Sequence, residues 1–112
     1  MPVTCEEYNR VCVLTLDGDF AAEMVQQARQ AVEDQIDNKQ IVHFVLDFEK
    51  SGFVDSEGLE ALLWLKRKCD DLFGQVKLAA LDENVKKILE VTRLDHQFQC
   101  HGDLTSALKT MR

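Results

Sequence analysis

The chain has 112 residues but only one proline, Pro2, and five glycines. There is no Pro- or Ser-rich stretch and no repeat at which a second domain would begin, so residues 1–112 are expected to fold as one domain. A chain of this size can bury roughly two-thirds of the surface of its unfolded form, enough for one core. No apolar run approaches the ~20 residues of a membrane-spanning helix. Met1 to Tyr8 carries acids where a secretory leader has a basic start, so the expected compartment is the cytoplasm. Cys-x-x-Cys pairs are absent. Cys5, Cys12, Cys69 and Cys100 are scattered, and His43, His96 and His101 do not fall at metal-ligand spacings with them. No metal and no cofactor is expected. All four cysteines read as structural, with Cys5, Cys12 and Cys69 inside apolar patterns, where a free cysteine behaves as a small hydrophobe.

Positive charge is also scarce. The formal net charge is −7, which disfavours nucleic acid, whose phosphates are bound by clustered Lys and Arg. It equally disfavours anionic membrane surfaces. The one basic cluster, Lys66-Arg67-Lys68, is followed at once by Asp70-Asp71 and reads as a solvated helix face. An acidic chain is compatible with a basic protein partner.

The hydrophobic pattern supplies the elements. Val3 to Tyr8 is a short first strand and Val11 to Leu16 a buried second one, with Asn9-Arg10 between them as a hairpin turn. Asp17-Gly18-Asp19 breaks the run. Val25, Ala28, Val32 and Ile36 recur at helical spacing, predicting a helix over Ala21 to Ile36 that ends at Asp37-Asn38-Lys39. Ile41 to Phe48 is the most apolar segment and suits a central strand covered on both faces.

A helix is expected from about Ser56 to Phe73, with Leu59, Leu62, Leu63, Cys69, Leu72 and Phe73 as its apolar stripe. Gly74 is its expected left-handed end. At least one of Leu62 and Leu63 should be deeply buried. Val76 to Leu81 is a strand, and Asp82-Glu83-Asn84 opens a helix with Val85, Ile88 and Leu89 inward. His96 to Cys100 is a last short strand. Asp103 caps a final helix with Leu104, Ala107, Leu108 and Met111 inward. The order β-β-α-β-α-β-α-β-α predicts an α/β domain: a mixed, mainly parallel sheet with packed helices and an antiparallel edge from the first hairpin.

Ligands and partners of such sheets usually meet the loops at the carboxyl ends of the strands. The loop from Glu49 to Val54 joins the most buried strand to what is expected to be the longest helix, and Asp55, Ser56 and Glu57 stand at that helix's start. Phe53 and Val54 are apolar within a polar loop and are expected chiefly to anchor it. Asp55 and Glu57 would be the acid–base pair, and Ser56 the nucleophile, of an enzyme. However, no Gly-x-Ser-x-Gly elbow and no phosphate-cradling glycine loop accompanies them. Asp55 or Ser56 as an N-cap is the simpler reading, and the chain is not expected to be an enzyme.

The stretch Phe53-Val54-Asp55-Ser56-Glu57-Gly58-Leu59-Glu60-Ala61-Leu62-Leu63 resembles the switch segment of STAS domains: apolar-Asp-Ser-Ser/small-Gly-Leu, then an apolar helix. Leu16-Asp17-Gly18-Asp19-Phe20 resembles the family's L-x-G-x-L turn. Val85 to Phe98 resembles its V-x-x-x-L-x-x-x-G-L-x-x-x-F helix and strand. The similarity runs over nearly the whole chain and is strongest to bacterial anti-sigma factor antagonists.

The resemblance implies a STAS fold and a protein–protein switch that regulates transcription. In that family the antagonist binds an anti-sigma factor that is also a serine kinase, and phosphorylation of the antagonist ends the binding. It implies that Phe53, Asp55, Ser56, Glu57 and Gly58 form the partner-binding segment. The usual phosphoacceptor precedes the glycine, and here that residue is Glu57, whose fixed charge mimics part of a phosphoserine's −1.5 to −2. Ser56 is the remaining candidate for phosphorylation, a weak one, since its hydroxyl would be engaged if it caps the helix. The family's aspartate three residues after the turn glycine corresponds to Ala21. Other members of the family imply alternatives: a subunit of a phospholipid-transport or stressosome-like assembly, or a nucleotide-binding protein.

Overall fold

The computed structural model describes residues 2–111. The elements follow the expected order: β1 (Val3–Tyr8), β2 (Val11–Asp17), α1 (Ala22–Lys39), β3 (His43–Lys50), α2 (Ser56–Asp71), β4 (Gln75–Ala79), α3 (Glu83–Val91), β5 (Gln99–His101) and α4 (Leu104–Lys109). The five strands lie side by side in sequence order. β1 pairs antiparallel with β2, and every later pairing is parallel. Asn9 and Arg10, both at positive φ, make the two-residue hairpin, a conformation whose twist matches the strands it joins.

Sequential order explains the layers. Right-handed crossovers that all step in the same direction put their helices on the same face. That face carries the large side chains, Cys12, Leu14, Leu16, Phe44, Leu46, Phe48 and Leu78, and they pack with Val25, Val32, Leu62, Leu65, Val85 and Leu89 from α1, α2 and α3. The opposite face presents Val11, Val13, Val45 and Ala79, covered by Ala107, Leu104 and Leu108 of α4. β3, third of five, is buried from Phe44 to Phe48, as a strand covered on both faces must be. Leu62 is 1% exposed and Leu63 partly buried.

Several boundaries differ from expectation. α1 runs through Asp37–Lys39 and stops where Gln40 takes φ 53, a left-handed residue that lets the Ile41 N–H reach back to the Gln35 carbonyl at 3.1 Å. β3 begins at His43 because its pairing with β2 starts at Val11 opposite His43. β4 ends at Ala79, since Ala80 turns to φ 58, and Asp95–Gln97 is a 3-10 turn before the short β5.

The largest difference is the end of α2. The helix stops at Asp71, and Phe73, not Gly74, takes the left-handed conformation, at φ 60. The Gly74 N–H donates to the Cys69 carbonyl at 2.7 Å and the Phe73 N–H to Asp70 at 3.2 Å, the two bonds that close a Schellman end. Phe73 is 92% exposed, outside the stripe it was expected to join. Gly74 serves another purpose: a Cβ there would lie 1.8 Å from the Val42 carbonyl oxygen.

Candidate functional site

The loops after β2 and β3 are sewn together by their backbones. The Gly18 N–H donates to the Lys50 carbonyl at 2.9 Å, Phe20 to Phe53 at 2.8 Å, and Asp55 back to Phe20 at 3.3 Å. Phe20 and Val54 thus form a one-residue parallel bridge. Both side chains are buried, and the Phe20 ring meets Phe48 edge-on with centroids 6.2 Å apart. A third loop joins from the start of α3, where Asn84 Nδ2 donates to the Gly52 carbonyl at 2.8 Å.

On this base α2 begins. Asp55 is the N-cap: its Oδ1 accepts from the Gly58 N–H at 2.8 Å, and its carbonyl accepts from Leu59 at 2.9 Å. Such a cap is worth about 1 kcal/mol. Ser56 is therefore the first helical residue and not the cap, so the expectation that capping engages its hydroxyl is corrected. Ser56 and Glu57 are both exposed. Glu57, in the first turn, sits where the unpaired N–H groups favour a carboxylate. Gly58 is buried, and a Cβ on it would lie 2.4 Å from the Phe20 carbonyl oxygen and 2.8 Å from Val54 Cγ1. Glycine lets α2 start directly against the Phe20 bridge, which turns residues 56 and 57 outward.

The two apolar loop residues part company. Val54 is the anchor, 2% exposed, whereas Phe53, also expected to anchor, is 42% exposed. Alternation explains it: only one of two neighbours in the bridged strand can face the core. Around Ser56 and Glu57 the same end of the sheet presents further exposed acids, Asp17, Asp19, Glu49, Asp82 and Glu83. The supporting roles of Phe20 and Asn84 were not read from the sequence. Phe20 appeared only as the last residue of a turn motif and Asn84 as part of a helix opening, and neither has a local signal for a bond to a loop more than 30 residues away.

Residues 2–107 match the STAS domain family, and the chain belongs to it. A curated relative, the anti-sigma F factor antagonist of Paenibacillus polymyxa, is 21% identical over 94 residues, covering 84% of this chain and 80% of that protein. Among solved structures, a candidate anti-sigma factor antagonist from Thermotoga maritima superposes with a TM-score of 0.90 at 19% identity, over 98% of this chain and 94% of the other. The antagonist SpoIIAA in its unphosphorylated form gives 0.85 at 21%, over 96% and 94%. A sulfate transporter family protein from Wolinella succinogenes gives 0.82 at 13%, over 93% and 86%. The fold is thus that of anti-sigma factor antagonists, and it is shared with a transporter family protein. Among the described residues no helix is long and apolar enough to cross a membrane.

Proposed function

We propose that the chain is a non-catalytic, cytoplasmic protein-binding domain of the anti-sigma factor antagonist type. It docks through Phe53, Asp55, Ser56, Glu57 and Gly58 onto an anti-sigma factor or a kinase-like regulatory protein. The observation that carries this reading is the exposure of Ser56 and Glu57 at a helix start held by three loops. A partner meets a preorganised surface there and loses little to ordering it. Exposed Phe53 adds an aromatic contact of the kind that concentrates binding energy. The surrounding acids favour a basic partner face and an association weakened by salt.

Glu57 holds a permanent charge where the resemblance places a phosphoacceptor, so the proposed cycle has no phosphorylation at residue 57. Ser56 is exposed but flanked by the carboxylates of Asp55 and Glu57, and a further −1.5 to −2 between them is unfavourable. It is expected to stay unmodified.

The test is calorimetric titration of a serine-kinase-type anti-sigma factor from the source genome against wild type, Glu57→Ser and Glu57→Ala. The variants should differ from wild type by about tenfold or more, as expected for a charge at an interface centre. Equal affinities would remove residue 57 from the docking surface. Kinase, ATP and intact-mass measurement should leave Ser56 unmodified, and stoichiometric phosphate there would restore an ordinary switch.

The fixed charge of Glu57 also favours a second reading, a subunit of another STAS assembly that works without a phosphorylation cycle. Capture of lipid-transport or scaffold subunits in place of an anti-sigma factor would select it. A nucleotide role has less support. The 480 Å³ groove lined by Leu81, Lys86, Leu89, Phe98 and His101 borders α3 and β5 rather than the 49–58 loop, and titration with GTP and ATP tests it.

A further inference from the structure

Cys5 and Cys12 both read as small hydrophobes in apolar patterns, but β1 is the edge of the sheet and Cys5 is exposed, while Cys12 on β2 is fully buried. The two are diagonal neighbours, Cys5 opposite Leu14 and Cys12 opposite Glu7. Their sulfurs face each other at 3.6 Å. We propose that Cys5 and Cys12 form a peroxide-oxidisable dithiol, with exposed Cys5 as the attacking thiol and buried Cys12 as the resolving one.

The surroundings favour that division of labour. The Cys12 S–H donates to Cys5 Sγ, which lowers the Cys5 pKa, and Lys39 at the end of α1 adds to the effect against burial and Asp34. The same hydrogen bond, burial and the charges of Cys5 and Glu7 raise that of Cys12, with Lys39 opposing. Of the two, the accessible Cys5 therefore gives up its proton the more readily, and it is the thiolate that acts as nucleophile. Cys69 is pushed up to about 12 by burial, and burial also raises exposed Cys100, so neither competes.

The chemistry balances with hydrogen peroxide as oxidant. Cys5 thiolate attacks one peroxide oxygen, the O–O bond breaks, and hydroxide leaves, giving Cys5 sulfenic acid. Cys12 sulfur then attacks Cys5 sulfur; the S–S bond forms, the S–O bond breaks, and water departs with the Cys12 proton. Two thiols are oxidised and one peroxide is reduced to water. Bonding requires the sulfurs to close from 3.6 Å to about 2.05 Å. The diagonal placement makes this a strand movement, and β1, paired on one side only, can supply it.

Trypsin reads the product directly, because Arg10 lies between the two cysteines. The reduced full chain is treated with hydrogen peroxide, blocked with iodoacetamide and digested without reductant. The peptide ending at Arg10 should remain joined to peptide 11–29 until dithiothreitol separates them, with Cys69 and Cys100 alkylated. Separate peptides, Cys5 joined to Cys5 of another chain, or Cys100 oxidised before Cys5 would each overturn the proposal. In Cys12→Ala both the resolving thiol and the hydrogen bond that favours the Cys5 thiolate are gone, so Cys5 sulfenic acid should form more slowly but persist, and dimedone labelling at the end of a prolonged peroxide treatment should exceed wild type several-fold. Labelling equal to wild type would overturn it as well, and the wild-type digest stands if that variant does not fold.

Discussion

The two ends of α2 solve the same steric problem with opposite results for the surface. Each has a glycine pressed against a carbonyl: Gly58 against Phe20, where a Cβ would lie at 2.4 Å, and Gly74 against Val42, where it would lie at 1.8 Å. At the N-terminal end the close approach is part of a set of consistent local choices. Asp55 caps, Glu57 meets the positive end of the helix dipole, and Val54 and Phe20 bury their side chains. At the C-terminal end the glycine is spent on the close approach, one residue too late for the left-handed turn. Phe73 must make that turn and loses its place in the core. An exposed position thus arises at one end from preorganisation and at the other from strain.

Substitutions at the two ends separate these causes. The largest effect is expected for Gly74→Ala, because the nearest obstacle is backbone with no flexible end to give way. Its urea midpoint should fall by the equivalent of about 3 kcal/mol or more, the upper range of overpacking. A loss under about 1 kcal/mol would mean that the connection from α2 to β4 relaxes freely. Gly58→Ala should lose about 1–3 kcal/mol, less than Gly74→Ala, since its nearest obstacle, the Phe20 carbonyl oxygen, would lie at 2.4 Å rather than 1.8 Å and alanine is the better helix former by about 1 kcal/mol. Partner affinity should drop with it as the helix start is pushed off the Phe20 bridge. If affinity is unchanged while stability falls, the docking surface does not depend on that bridge.

Phe73→Gly should work the other way. Relief of the left-handed strain, about 1–2 kcal/mol, is partly offset by the greater freedom of glycine in the unfolded chain, about 0.4–1 kcal/mol, and a side chain 92% exposed loses almost no burial. The net gain in thermal or urea stability is about 0.5–1 kcal/mol. Arg93, also exposed and at φ 60, stands where the STAS pattern has glycine, and Arg93→Gly should gain a similar amount. The smallest effect belongs to Glu57→Ser, a loss of about 0.3–1 kcal/mol from the helix dipole. A larger loss would show that Glu57 has a structural partner and is not free for one outside the chain.

Much of the site was legible locally. Asp-Ser-Glu-Gly places an N-cap, two outward positions and a small residue in order, and each follows from rules that act over three or four residues. Phe53 and Val54 could not be told apart in the same way, because which of them faces inward depends on the bridge to Phe20, more than 30 residues upstream. Ser56 was assigned to the cap on equal terms with Asp55, and a single hydrogen bond decided between them. Cys5 and Cys12 could not be told apart in the sequence, because burial depends on which of β1 and β2 has a neighbour on its far side.

Legible in the residues alone were the number and order of elements, the central place of β3, and the cap at Asp103, which accepts from the Ser106 N–H three residues on. These depend on hydrophobic period and on hydrogen bonds within one turn. The tertiary structure alone decided where α2 must let go of its helix, which cysteine meets solvent, and that three separate loops hold one helix start. Each of these is set by contacts between segments distant in the chain, where a carbonyl, a bridge or an edge strand overrides what the neighbouring residues prefer.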